Sequence, residues 1–271
     1  MDLLTLRTSH ATATLSPYGA QVMSFIPTGG TDVLWQTTPE FLAKALAGGK
    51  ALRGGIPLCW PWFGGHNSVA GAPSHGLGRT FVWKVTHHTD SSAILTCQLD
   101  GTNPVWPYKT SGTLTVTLTD TLTVSLTTTN LSETPFRLTQ ALHTYFRVDD
   151  ITTARLTGTA GLTQRHVTSG TPLPPASDPF PFAAEVESLV SPVTSLTLND
   201  QALSHRTTVT NTGTDETIIW NPWIEKTLTL DMPPLSYRNM LCLEAANVDH
   251  APTLAPGQSY TLSTTIASRP L

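Results

Sequence analysis

TSGTLTVTLTDTLTVSLTTTN, residues 110–130, alternates apolar and hydroxyl side chains on both sides of one Asp-Thr step. In an extended chain successive side chains point to opposite faces. Leu114, Val116 and Leu118 therefore share one face, and Thr113, Thr115, Thr117 and Thr119 share the other. Asp120-Thr121 turns the chain, and Leu122, Val124 and Leu126 resume the pattern on a second strand. This is a half-buried antiparallel hairpin with a polar threonine face.

Shorter alternations of the same kind recur at residues 3–6, 11–15, 82–85, 94–99, 138–148, 207–211, 228–230, 240–243 and 260–266. Only residues 39–46 read as a helical turn or two, ended by Gly48-Gly49. Many short strands with turn signals between them predict an all-β chain, built as a sandwich or barrel. The Pro-rich stretch PLPPASDPFPF, residues 172–182, reads as a surface loop, because strand pattern resumes beyond it without a change in composition. No fixed repeat period emerges. Residues 1–271 are expected to form a single domain.

Composition narrows the partners. Hydrophobic residues make up 39% of the 271, enough for a sizeable core, while only 13% are charged and threonine takes over much of the polar surface. A net charge of −4 without a basic stripe argues against nucleic acid. No segment approaches the length of an apolar membrane span, and MDLLTLRTSH lacks the basic start and cleavage site of a signal peptide. The cysteines Cys59, Cys97 and Cys242 are odd in number and far apart, which argues against a disulfide framework and for a reducing, cytoplasmic setting.

Chemistry-bearing residues collect in a few places. Residues 53–79, RGGIPLCWPWFGGHNSVAGAPSHGLGR, set two arginines and a His-Gly pair among Gly, Pro and Trp. Arg53 and Arg79 either form surface ion pairs or hold an anion, which guanidinium groups grip bidentately. His143 lies in TQALHTYFRV on the strand face it shares with Tyr145, opposite Leu138, Leu142 and Phe146. It is either a half-buried structural residue or a general acid or base, suited by a pKa near neutrality. Glu244 follows the apolar run at residues 240–243. It is either a strand-end carboxylate reaching water or a buried one whose pKa is raised toward that of a working base. Trp60, Trp62, Trp220 and Trp223 are core aromatics or platforms for a sugar ring. The histidines and cysteines lack metal-ligand spacing, and no phosphate-loop, dinucleotide-binding or G-x-S-x-G pattern is present.

Taken together, RGGIPLCWPWFG at Arg53, SHGLGRTFVWKV at Ser74, LHTYF at Leu142, WNPW at Trp220 and LCLEAANV at Leu241 resemble the aldose 1-epimerase superfamily, in its hexose-6-phosphate mutarotase branch. The motifs occur in the family's order and span about residues 53–248. The resemblance implies a β-supersandwich with its active site on a concave face. It also implies that His143 is the acid that protonates the pyranose ring oxygen and Glu244 the base that takes the anomeric proton. Arg53 and Arg79 would clamp the phosphate, His75 would lie near the ring oxygen or hydroxyls, and Ser74 would make a further contact. Where the family carries an E-x-D segment, AEVESLV offers Glu185 and Glu187, and Glu187 aligns with the residue that contacts sugar hydroxyls.

The implied reaction opens the ring to the free aldehyde, rotates about C1–C2 and recloses it to the other anomer, without metal or cofactor. The implied ligand is a small sugar phosphate; the threonine-rich faces show no obvious apolar interface, so a monomer is the default expectation. Two readings compete with it: a mutarotase of a free hexose such as galactose, and a carbohydrate-binding β-sandwich without catalysis. A neutral sugar needs no paired guanidinium clamp, and a binding module needs no His–Glu pair.

Overall fold

The hairpin at residues 110–130 has the expected register, with Leu114 opposite Leu126 and Leu118 opposite Leu122. In this computed structural model, which describes residues 3–65 and 69–271, its two strands lie inside an eight-stranded antiparallel sheet. The order across that sheet is Arg155–Thr157, Ser195–Asp200, His205–Thr212, Ser259–Pro270, Leu122–Asn130, Lys109–Leu118, Ser92–Asp100 and Lys84–His88. On its outer face, hydroxyls pair across strands, Thr123 with Thr265 and Thr127 with Thr261. The face thus satisfies its own polar groups without charge. Its inner face, carrying Leu95, Leu114, Val116, Val124, Leu126 and Leu262, is fully buried.

A second eight-stranded sheet carries the functional side chains. Its order is Pro172–Leu173, Thr163–His166, Val186–Ser191, Glu216–Asn221, Met240–Asn247, Gln140–Leu142 and Leu58–Cys59, and Tyr145–Arg147 pairs with the early part of Met240–Asn247. Alternation divides its two faces sharply. Leu58, Leu142, Phe146, Val190, Ile219, Leu241, Leu243 and Ala245 enter the main core shared with the first sheet. Cys59, Ala141, Tyr145, Leu189, Ile218, Cys242 and Ala246 point the other way, into two smaller clusters. A three-stranded sheet, Leu4–Arg7, Ala11–Ser16 and Gln21–Pro27, adds Leu6, Ala13, Leu15 and Phe25 to the core, and Phe136–Arg137 pairs with Thr253–Leu254.

Three local expectations change, and the structure decides between the two readings of Glu244. The alternation at residues 138–148 is two strands, Gln140–Leu142 and Tyr145–Arg147, rather than one. The break comes where Thr144 N–H bonds back to Leu142 O, while His143 N–H reaches Pro57 O and Tyr145 N–H reaches Gly55 O. Residues 228–230 do not form a strand; Trp223–Leu228 is a helix, begun where the Asn221 side-chain oxygen accepts the Trp223 N–H. The Pro-rich stretch is more than a surface loop: Pro172–Leu173 pairs with Thr163–His166, and Ala176, Phe180 and Phe182 are buried. Glu244 sits in the middle of Met240–Asn247 and does not reach water. The helix Pro39–Ala47 ends at Gly48 as its sequence predicts. The three cysteines are free, and no helix of the described residues is long and apolar enough to cross a membrane.

The glycines of residues 53–79 are needed where backbones touch. Gly55 has φ +59° and Gly76 φ +77°; a Cβ would lie 2.0 Å from Val22 O at the first and 2.1 Å from Trp60 O at the second. Only glycine permits both the left-handed backbone and that approach. The carbonyl of Trp60 meanwhile accepts the N–H groups of Leu77 and Gly78, binding the two ends of the block together.

Candidate active site

Strand pairing brings the expected residues together from distant parts of the chain. Met240–Asn247 is central, with Glu244 opposite Ile218 and Cys242 opposite both Trp220 and Tyr145. Glu187 is opposite Trp220 on the next strand. On the other side, the break after Leu142 puts His143 beside the carboxylate, with Nε2 3.4 Å from Glu244 Oε1. Both are buried, 9% and 2% exposed. The Tyr145 ring stacks on His143 at 4.8 Å with 10° between planes, and the Trp220 edge meets His143 at 5.8 Å. Two buried polar atoms of the pair, His143 Nδ1 and Glu244 Oε2, have no protein partner, although buried polar groups are nearly always hydrogen-bonded.

The block at residues 53–79 supplies the rim. His75 is held through a reciprocal pair: its N–H donates to Gly64 O, and Gly64 N–H donates to His75 Nδ1. Cys59 Sγ lies 3.4 Å from the same nitrogen. With Nδ1 accepting, the ring proton sits on Nε2 and the ring is neutral. The clamp holds His75 at φ +63°, a backbone conformation costly for a side chain with a Cβ. Its ring lies 5.9 Å from that of His143. Arg79 Nη2 donates to Ser74 O at 2.6 Å, so Ser74 braces the guanidinium with its backbone while its side chain stays exposed. Arg53 Nη1 lies 3.5 Å from the Tyr145 hydroxyl. Among the described residues, no carboxylate is within ion-pair distance of Arg53 or Arg79, which removes the surface ion-pair alternative.

Glu187 reaches the same cleft, but its Oε1 accepts from Thr168 N–H at 3.0 Å and from the Thr168 hydroxyl. Its Oε2 faces Lys226 Nζ at 3.8 Å. Lys226 and Tyr145 were not marked by the sequence. Lys226 sits on the helix Trp223–Leu228, which the sequence reading did not assign, and Tyr145 is identified only as a neighbour of His143 on one face. The cleft has two lobes of about 720 and 520 Å³ that share Arg53, Ser74, Arg79, His143 and Tyr145. Such a volume suits a small ligand.

Burial dominates the electrostatics. It drives the Glu244 carboxyl well above the usual carboxylate range, and the nearby Glu187 adds to the effect. It drives His143 well below its ordinary value, reinforced by His75, Arg79 and Arg53. His75 falls to about 3, through burial and then the two arginines. His143, Cys242 and Glu244 have ligand-type atoms within 4.8 Å of one another, the one such grouping among the described residues. Burial and Glu244 push the Cys242 thiol well above its ordinary pKa. What the arrangement can do is exchange protons with two adjacent oxygens of a ligand.

The raised Glu244 pKa has a consequence for stability. The unfolded carboxyl titrates near 4.5, and above that pH the unfolded chain releases a proton that the folded chain keeps. Stability is therefore fully present below the unfolded value and declines as pH rises toward the folded one. Glu244→Gln removes this decline. In denaturant unfolding the variant is expected to be more stable than the native protein at pH 8, with the gap closing by pH 4. A variant less stable at pH 8 would show that Glu244 is folded as a well-paired carboxylate.

A family model described as aldose 1-epimerase matches residues 2–267. A protein of Escherichia coli K12 named "Putative glucose-6-phosphate 1-epimerase" is 29% identical over 256 residues, covering 91% of this chain and 83% of its own. A crystal structure from Salmonella typhimurium, described with the same qualifier as a mutarotase, aligns with a TM-score of 0.85 at 26% identity, covering 100% of this chain and 91% of its own. A galactose mutarotase related enzyme of Lactobacillus acidophilus shares the fold, with a TM-score of 0.78 at 14% identity over 99% of this chain and 97% of its own. The two large antiparallel sheets are those of the galactose mutarotase-like β-supersandwich. Matched by the family model over nearly its whole length, the chain belongs to the aldose 1-epimerase family of isomerases.

Proposed function

We propose that the protein interconverts the α and β anomers of a hexose 6-phosphate, as a glucose-6-phosphate 1-epimerase. One observation carries the reading. The side-by-side pair His143 and Glu244 shares a cleft with Arg53 and Arg79, two guanidiniums that no carboxylate of the described residues neutralises. A hemiacetal holds its ring oxygen and its hydroxyl oxygen on one carbon, so an acid and a base serving both must lie next to each other. A separation of 3.4 Å between His143 Nε2 and Glu244 Oε1 meets that requirement.

Glu244 takes the proton of the anomeric hydroxyl as His143 protonates the ring oxygen. The C1–O5 bond breaks, leaving the aldehyde at C1 and a hydroxyl on C5. Rotation about C1–C2 presents the other carbonyl face, and the proton transfers run in reverse. A positioned acid or base contributes about 10²–10⁴-fold each, roughly 3–5 kcal/mol on the barrier. That is enough for a reaction that proceeds unaided in water. His75, neutral with its proton on Nε2, donates to a sugar oxygen, Trp220 and Tyr145 offer apolar ring faces, and Glu187 accepts from a hydroxyl. Arg53 and Arg79 hold the phosphate and keep the open-chain intermediate from leaving. The name of the Escherichia coli relative supports the phosphorylated substrate. The reading carries with it a cytoplasmic location, where sugar phosphates are retained, and a monomer acting without a cofactor.

His143→Ala and Glu244→Gln are each expected to slow glucose 6-phosphate anomer exchange by about 10²–10⁴-fold in exchange NMR. Full activity in both variants would remove the acid–base assignment. Arg53→Ala and Arg79→Ala each lose charge-assisted bonds worth about 1.5–3 kcal/mol. KM for glucose 6-phosphate should rise at least about tenfold, with little change for glucose. Equal effects on the two sugars would remove the phosphate clamp.

A further inference from the structure

The two lobes of the cleft carry different charge. Glu244 lines only the larger lobe, whose one lysine among the described residues, Lys226, lies 3.4 Å from Glu185 and 3.8 Å from Glu187. The smaller lobe adds Lys44 and Lys50 to Arg53 and Arg79, and Asp231 is the one carboxylate among the described residues that line it. His143 lines both lobes. Sugar connectivity then sets how a ligand lies. The ring oxygen joins C1 to C5, and C5 carries C6. With the anomeric hydroxyl at Glu244 and the ring oxygen at His143, C6 continues past His143, away from Glu244 and into the smaller lobe.

Resting on the hexose 6-phosphate reading, we propose that the phosphate lies in the smaller lobe and that Lys50 determines specificity there, as a third cation that tells a dianion from a monoanion. Lys50 is held more firmly than a surface lysine usually is. Its N–H donates to Ala45 O, its carbonyl accepts from the Tyr18 hydroxyl at 3.0 Å, and its Nζ bonds Asp231 Oδ2 at 2.9 Å. Lys44 stands 3.8 Å from the same carboxylate, with a side chain 71% exposed. An ammonium has three protons to donate. Asp231 takes one from Lys50 and fixes its direction, which leaves two for phosphate oxygens. Attraction between ions scales with the charge of the ligand, and a phosphate ester carries about −1.5 to −2 at pH 7. A sulfate ester has the same tetrahedral shape and a single negative charge, so Lys50 favours the phosphate. Without Lys50, the Asp231 carboxylate faces the ligand and repels the dianion more than the monoanion.

The test varies the charge of the ligand and keeps its shape. Anomer exchange of glucose 6-phosphate, glucose 6-sulfate and glucose is measured at pH 7.5 for the native protein, Lys50→Ala and Lys50→Arg, subtracting the enzyme-free rate. Lys50→Ala is expected to lower kcat/KM for glucose 6-phosphate about fivefold, the size of one exposed charge contact, through KM with kcat kept. The loss for glucose 6-sulfate should be smaller and glucose should be unaffected, so the preference for phosphate over sulfate narrows. Lys50→Arg, which keeps the charge, should retain the native preference. If Lys50→Ala leaves the phosphate-to-sulfate ratio unchanged, or Lys50→Arg narrows it as much, the role of Lys50 is overturned; with glucose 6-phosphate still favoured over glucose, the function stands. If the native protein accelerates glucose 6-phosphate no more than glucose, the hexose 6-phosphate reading falls and the role of Lys50 with it.

Discussion

A carboxyl group in the middle of a buried strand is the constraint around which the rest of this structure is arranged. Glu244 lies in Met240–Asn247, where every residue is buried. Taking an unpaired carboxylate out of water costs several kcal/mol, and among the described residues His143 is the one histidine within ion-pair distance of it. The strand cannot move to relieve this. Its alternate residues Leu241, Leu243 and Ala245 are locked into the core between the two large sheets, and neighbours pair on both sides. The same burial raises the Glu244 carboxyl well above its ordinary value and lowers His143 well below its own.

The rim solves a different problem, which is to hold cations and a neutral imidazole over that pair without neutralising them. Regular strands could not do so. The block instead uses glycine contacts too close for any Cβ, the reciprocal His75–Gly64 bonds, and a backbone carbonyl, Ser74 O, as the brace for Arg79. Bracing an arginine through a neutral carbonyl rather than a carboxylate leaves its charge available to a ligand. Glu187 and Lys226 form the opposite wall, where Thr168 ties down one carboxylate oxygen.

Much of this was legible in the chain. Period-2 alternation gave the threonine hairpin with its register, and placed His143 and Tyr145 on the face opposite Leu142 and Phe146, as they are. Alternation did not reveal the break beside His143, because the break depends on bonds to Pro57 and Gly55, far away in sequence. For a similar reason alternation left Glu244 open between a strand end and a buried position. An apolar run shows where burial begins, but the strands that extend burial past Glu244 come from residues 140–142 and 216–221. The Trp223–Leu228 helix carried no sequence signal, since the Leu-Thr-Leu alternation at residues 228–230 overlaps only its last residue, and its first N–H bonds Asn221, a buried side chain that also bonds Tyr237 O and Met240 O. Lys226 was lost with the helix. Motif resemblance recovered what alternation could not, since it joined His143, Glu244 and the arginines across the intervening chain.

The central claim is that one cleft combines ring-opening acid–base chemistry with recognition of a phosphate. Its most direct test is two-dimensional exchange NMR of the native protein with glucose 6-phosphate and with glucose under identical conditions. The account predicts that anomer exchange of the phosphate ester is accelerated at least about 100-fold more per unit of kcat/KM than that of glucose, about 2.7 kcal/mol of transition-state discrimination. Equal acceleration of both sugars, or acceleration of glucose alone, would contradict it.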